Sequence, residues 1–316
     1  MAVTSTSRNP IILYGIEGHY ADITLLVLCK CIHNGTLYIP RTESLRTKLF
    51  GDPIFGTLKH IRIVNQGKSN VYPATAEVSL NVELKGNHPF DNPKWWHEFI
   101  SSTPSNPYSY LTDIHKYLLC VGGNMEDESC LQLISVQYIN NEAKVLELGG
   151  NIGRTSIIIG SLLKDSKNLV TLEPDTYTFS HLERNKQLNH LDFGIENAAL
   201  FARKVFIKGS ETYTEEMAPK SAIEVKTVTL KQLEDKYNMV FDTLVVDCEG
   251  FFYYTIMENI DVLDNIKTLI LKNDYWDTNY KFVIDMIVKG KGFTKVYNKQ
   301  GGWGPCSQVF YEVWTK

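Results

Sequence analysis

The sequence has no C-x-x-C pair, no long run of lysine or arginine, no low-complexity tract and no apolar stretch near the length of a membrane span. Each absence removes a class of function. Cys29, Cys31, Cys120, Cys130, Cys248 and Cys306 are scattered, so they read as small buried or half-buried thiols in a reducing compartment. With 32 basic against 36 acidic residues the net charge is −4, and a nucleic-acid backbone is not the expected main partner. The longest apolar stretches, 24–29 and 157–163, are far shorter than the roughly 20 residues a spanning helix needs. Residues 1–10 are polar and lack the apolar core of a secretion signal. A cytoplasmic protein is expected, with no nucleic-acid partner and no membrane span.

What is present is an ordinary globular composition, 43% hydrophobic and 22% charged over 316 residues, enough for two cores. Residues 1–87 read as a small antiparallel β domain. Runs at 11–16, 23–32, 37–39, 60–64 and 76–84 are β-branched or alternate in polarity, and Asn34-Gly35 is a hairpin signal. Residues 88–141 begin as a Pro-rich boundary and continue as two helices, near 108–121 and 126–139. From 142 to 316 short apolar runs alternate with helical segments, which predicts an α/β fold with a parallel, Rossmann-like sheet. A terminal β-hairpin, 293–297 and 308–314, adds the antiparallel strand that separates the seven-stranded methyltransferase sheet from the dinucleotide-binding one.

The first strand of that domain ends in Glu147-Leu148-Gly149-Gly150-Asn151-Ile152-Gly153. Glycines at a strand–helix junction allow a tight turn and a close backbone approach to a ligand. Leu148 breaks the dinucleotide fingerprint, and no Lys-Ser/Thr follows to make a phosphate loop. Glu147 can take a hydrogen bond from a methionine ammonium group. One β-α-β step later Leu172-Glu173-Pro174-Asp175 places Glu173 where a carboxylate binds both hydroxyls of an adenosyl ribose. Asn197 followed by Ala198 can pack against the adenine edge, or Asn197 can be a turn residue. Together these predict S-adenosylmethionine, a cofactor with no diphosphate to cradle.

On the reaction side, Asp247 stands at the end of the fourth strand, Glu249 opens the next turn, and Lys272-Asn273-Asp274-Tyr275-Trp276 follows the fifth. Asp247, Glu249 and Asp274 are the candidate catalytic carboxylates. Oxygens of Asp247, Asn273 and Asp274 can hold Mg²⁺, which lowers a hydroxyl pKa. A metal-free route, with a carboxylate or bound water taking the hydroxyl proton, is the alternative. Tyr275, Trp276 and Trp303 can form an apolar platform for a sugar ring, or merely cover a core edge.

These residues jointly resemble the FkbM-type methyltransferases. The likeness runs through the glycine loop, Glu173-Pro174-Asp175, Leu182-Glu183-Arg184-Asn185, Asn197-Ala198-Ala199, Thr227-Val228-Thr229-Leu230 and Val246-Asp247-Cys248-Glu249-Gly250, all within 145–275. Two positions depart from the family: Glu147 stands where it often has Asp, and Lys272 where it often has Glu. The resemblance implies an O-methyltransferase using S-adenosylmethionine on a sugar, glycan or polyketide hydroxyl, and does not reach residues 1–90. The rival readings are another small molecule or a protein side chain as acceptor, and a degenerate scaffold used only for binding. The β domain can bind glycan or protein through Tyr14, Tyr20, Tyr38 and Tyr72, or pair two chains as a homodimer through an edge strand. Its His19, His33 and His60 show no metal spacing.

Overall fold

Short β-branched runs separated by turns build the first part of the chain. The computed structural model describes residues 11–24, 26–27, 31–33, 36–65, 68–81, 106–115 and 118–316. It divides into two units, 1–102 and 103–316. In the first, β1 (Ile11–Ile16), β2 (His19–Asp22), β5 (His60–Asn65) and β6 (Lys68–Tyr72) form an antiparallel sheet in the order β2-β1-β5-β6. A second antiparallel sheet has β4 (Thr36–Ile39) between β3 (Ile32–His33) and β7 (Val78–Asn81). Ile12, Tyr14, Ile61 and Ile63 of one sheet share a core with Leu37, Ile39 and Val78 of the other.

This unit differs from an all-β reading in two places. Helix α1 (Glu43–Phe50) buries only Arg46 and Phe50, so it lacks the apolar stripe that marks a helix in sequence. Arg46 is held because its guanidinium donates to the carbonyls of Pro40, Lys59 and Ala76. Within the run 23–32, Thr24, Leu26 and Val27 are helical rather than extended. Tyr14 is fully buried and Tyr38 exposed. The expected boundary at 88–105 and the strand end 82–84 lie outside the described residues.

The second unit is a Rossmann-like α/β domain. Its sheet takes the order β10-β9-β8-β16-β17-β19-β18, with β8 (Val145–Leu148), β9 (Leu169–Leu172), β10 (Gly194–Glu196), β16 (Thr243–Val246), β17 (Thr268–Lys272), β18 (Thr294–Lys299) and β19 (Tyr311–Thr315). The first five strands run parallel, and β19 enters antiparallel between β17 and β18, as the terminal hairpin predicts. Strands β8, β9 and β16 are buried at every position, because helices cover both faces of a parallel sheet. The helices are α2 (Pro107–His115), α3 (Ser129–Tyr138), α4 (Arg154–Leu162), α5 (Thr176–Leu188), α6 (Leu230–Tyr237), α7 (Phe252–Glu258) and α8 (Thr278–Gly290). Among the described residues no helix is long and apolar enough to cross a membrane.

Two features were not anticipated. Residues 118–124 carry no helix, so of the helix expected over 108–121 the described part is Pro107–His115. Between β11 (Ala199–Leu200) and β15 (Thr227–Val228), the chain makes an antiparallel sheet of β12 (Val205–Lys208), β13 (Glu211–Thr214) and β14 (Ile223–Val225).

Candidate functional site

The strand order reverses at β8, and the crevice beyond its carboxyl end is where an open α/β sheet takes a ligand. A cavity of about 330 Å³ opens there, within the range of small-molecule sites. The tips of β9, β8, β16 and β17 form its floor, in that order.

The loop after β8 is tied down at both sides. Gly149 and Gly150 donate their N–H groups to the Leu172 carbonyl of β9 at 3.0 and 2.9 Å. On the other side Gly149, at φ +85°, lies so close to β16 that a Cβ there would sit 1.8 Å from the Asp247 carbonyl oxygen. Asn151 also takes a left-handed conformation, φ 49°, which asparagine tolerates better than most residues. Its backbone N–H donates to Glu173 Oε2 at 2.8 Å, while the N–H of Asp175 donates to Glu173 Oε1 at 2.9 Å. Glu173 is thereby fixed on the cavity wall with an acceptor position left on each oxygen. Burial pushes its carboxyl up to about 7 in spite of those two hydrogen bonds.

Of the residues expected to hold the cofactor, Gly149, Gly150, Asn151, Glu173, Pro174, Ala198 and Asp247 line the cavity. Glu147, Gly153 and Asn197 stand behind it. Asn197 donates to the carbonyls of Glu173 and Pro174, at 2.9 and 3.1 Å, and so ties β10 to the β9 turn. Glu147 is 2% exposed beneath the glycine loop and accepts from Thr171 Oγ1 at 2.7 Å. Burial pushes its carboxyl up to about 7. A carboxyl raised in the folded state costs nothing below the unfolded value near 4.5, and its penalty is complete above 7. Glu147→Gln is therefore expected to stabilise the free protein at pH 8 by up to about 3 kcal/mol and to change little at pH 4.5. Urea unfolding at the two pH values checks this.

Asp247 and Glu249 face the cavity as well. Asp247 forms an ion pair with Lys272 Nζ at 2.8 Å. Glu249 sits at the exposed rim with a left-handed backbone, φ 48°. Desolvation first, then hydrogen bonding to and repulsion from Asp274, push its carboxyl up to about 7.

The segment after β17 is divided by its own alternation. Asn273 and Tyr275 are buried, at 0% and 3% exposure, while Lys272, on the cavity wall, and Asp274 are half-buried and Trp276 is exposed. Tyr275 thus packs in the core and does not join an aromatic platform. Trp276 and Trp303 do meet, edge to face at 5.5 Å and both largely exposed, but outside the cavity wall. The three expected Mg²⁺ ligands do not fit that ion. Lys272 already occupies the Asp247 carboxylate, and Asn273, fully buried, and Asp274 do not line the cavity with it. Among the described residues no group of three or more His, Cys, Asp or Glu is arranged to hold a metal.

No family model matches the chain, and no curated protein matches it in sequence. Solved structures of similar fold include an O-methyltransferase from Bacillus cereus in complex with SAH, at TM-score 0.37 and 15% identity, covering 71% of this chain and 100% of that one. Another is a ribosomal protein L11 methylase from Lactobacillus delbrueckii subsp. bulgaricus, at TM-score 0.39 and 11% identity, covering 62% and 79%. A third is a precorrin-6y C5,15-methyltransferase from Geobacter metallireducens, at TM-score 0.38 and 11% identity, covering 63% and 95%. Identities this low bring no substrate with them.

Several wall residues escaped the sequence reading. Glu128 comes from the turn before α3, Arg154 and Thr155 from the start of α4, Phe251 from the N-terminal cap of α7 and Thr255 from α7 itself. Ile207, Gly209, Ser210 and Thr212 come from the β12–β13 hairpin. That hairpin had a signal: two alternating runs around Gly209-Ser210, with Gly209 at φ +63°.

Proposed function

We propose that the second unit binds S-adenosylmethionine in this cavity and transfers its methyl group to a hydroxyl of a sugar or glycan. Glu173 carries the reading. Both of its oxygens are fixed by backbone N–H groups, and each keeps an acceptor position on the cavity side, which suits the two adjacent hydroxyls of a ribose. The wall charges agree: Glu128, Glu173, Asp175, Asp247 and Glu249 face only Arg154 and Lys272. Even with Glu173 and Glu249 only about half ionised near pH 7, acidic groups outnumber the two cations, which favours a cationic ligand and disfavours a diphosphate.

When bound, S-adenosylmethionine supplies a methyl group made electrophilic by its sulfonium. The chain has to hold the cofactor, orient the hydroxyl and remove a proton. Gly149, Gly150 and Asn151 shape the floor, with Glu147 and Gly153 supporting them from behind. Ala198, Leu200 and Phe251 offer the small and apolar surfaces that a purine needs. Glu249, at the rim and about half ionised near pH 7, is the proton acceptor. Asp247 is paired with Lys272 in the free protein and is not the base, and Asp274 acts through its contact with Glu249. Trp276 and Trp303, exposed beyond the same strand ends, suit the flat face of a sugar ring.

The test is incorporation of labelled methyl into neutral glycans, sugar phosphates, protein and RNA. Label is expected in neutral glycans. Trp276→Ala and Trp303→Ala should each raise the acceptor KM by roughly 3- to 10-fold with little change in kcat. Label in RNA or protein and none in glycans contradicts the acceptor.

A further inference from the structure

The end of the cavity away from Glu173 carries charges that proton removal does not use. Glu128, Arg154, Asp247 and Lys272 meet there from four separate elements. Lys272 Nζ lies 2.8 Å from Asp247 and 3.6 Å from Glu128, and none of the four side chains is more than 25% exposed. Two cations and two anions thus stand together in a wall of little water. A ligand of one sign would satisfy half of them and strand the rest, since a buried charge without a partner is costly. A zwitterion can exchange with all four.

The strand order says which part of a ligand arrives there. Glu173 follows β9 and Lys272 ends β17, with the tips of β8 and β16 between them. At the usual strand spacing that row is about 14 Å long. A ligand with its ribose at Glu173, lying along the row, brings its other end to Lys272. The other end of adenosylmethionine is an amino acid, a carboxylate and an ammonium on one carbon.

Resting on the cofactor reading above, we propose that Glu128, Asp247, Arg154 and Lys272 form a clamp for that zwitterion. Lys272 and Arg154 take its carboxylate; Glu128 and Asp247 take its ammonium. Glu128 is held ready by the segment 118–128, which is fastened along its length. Asn189 exchanges hydrogen bonds with the backbone of Leu119 at 2.8 and 2.7 Å. Asn185, fully buried, does the same for Val121 at 2.7 and 3.0 Å and also donates to the Ile152 carbonyl of the glycine loop at 2.8 Å. Arg154 donates to the Asn124 carbonyl at 2.8 Å and pairs with Asp127 at 3.2 Å. A side chain already in place when the ligand arrives costs less entropy on binding.

The test compares two ligands on wild type, Glu128→Gln, Lys272→Met and Lys272→Arg. S-adenosylhomocysteine has the amino acid; 5′-methylthioadenosine has the same adenosine without it. Calorimetry should show the homocysteine ligand weakened about 10- to 100-fold by Glu128→Gln and by Lys272→Met, the loss of charged hydrogen bonds. Methylthioadenosine should bind all four proteins alike, and Lys272→Arg, which keeps the charge, should recover most of the lost affinity. Unchanged homocysteine-ligand affinity in both variants overturns the clamp. So does an equal loss of both ligands, which assigns these residues to folding alone. A wild type that binds methylthioadenosine as tightly as the homocysteine ligand overturns the clamp and leaves the adenosine site standing. A wild type that binds neither overturns the cofactor reading and the clamp with it.

Discussion

Glu249→Gln is expected to lower kcat by about 10²- to 10⁴-fold, the usual worth of a placed general base. S-adenosylhomocysteine affinity should stay nearly constant, because glutamine keeps the size of the side chain and the cofactor's own ligands are elsewhere. The expectation rests on three properties of one residue. Glu249 faces the cavity, its backbone is held in a left-handed turn that Gly250 continues, and its carboxyl titrates near 7 beside Asp274. A non-glycine residue in that conformation is maintained by its surroundings at some cost, as active-site turns often are. The sign with pH follows: a base works when deprotonated, so kcat should rise about tenfold per pH unit below 7 and level off above it. A kcat–pH profile of wild type and variant checks both statements. A variant that keeps the inflection at reduced height assigns the proton to another group.

Gly149→Ala is expected to destabilise the protein by about 3–5 kcal/mol, combining a left-handed alanine with an overlap that cannot relax. The added methyl would lie 1.8 Å from the Asp247 carbonyl oxygen, and that oxygen belongs to a strand buried at every position before it. The loop cannot move the other way, since its N–H groups are bound to Leu172. Gly209→Ala is the control. It has a similar φ of +63° but nothing within 4 Å of the new Cβ, so it should cost only about 1–2 kcal/mol. Urea unfolding of the pair separates backbone strain from steric overlap. Equal costs in the two variants would contradict the close approach of β8 and β16.

The parts legible in sequence were those set by local order. A parallel strand tip is marked by the end of an apolar run, and Gly149, Glu173, Asp247 and Glu249, which follow such runs, line the cavity. The terminal hairpin likewise carried the antiparallel β19 with it. What was not legible came from elsewhere in the chain or from orientation. Glu128 reaches the cavity because Asn185 on α5 and Asn189 at its C-terminal cap grip a segment 64 to 70 residues earlier, and no local pattern records that. Tyr275 points inward because it shares parity with Leu271 and Asn273, and the run of polar residues around it hid the alternation. Helix α1 went unseen because its buried side is an arginine satisfied by three carbonyls, a solution that hydrophobic periodicity cannot reveal. A lysine after the fifth strand likewise shows no partner in the sequence: Lys272 pairs with Asp247, one of the three residues expected to hold Mg²⁺.

The most direct measurement is calorimetric titration of wild type and Glu173→Ala with S-adenosylhomocysteine, with NAD⁺ as the competing ligand type. Wild type is expected to bind the homocysteine ligand saturably and NAD⁺ not at all, and Glu173→Ala to weaken the former by about 1–3 kcal/mol. Binding of NAD⁺ by wild type, or homocysteine-ligand binding that Glu173→Ala leaves unchanged, would contradict the S-adenosylmethionine site at Glu173.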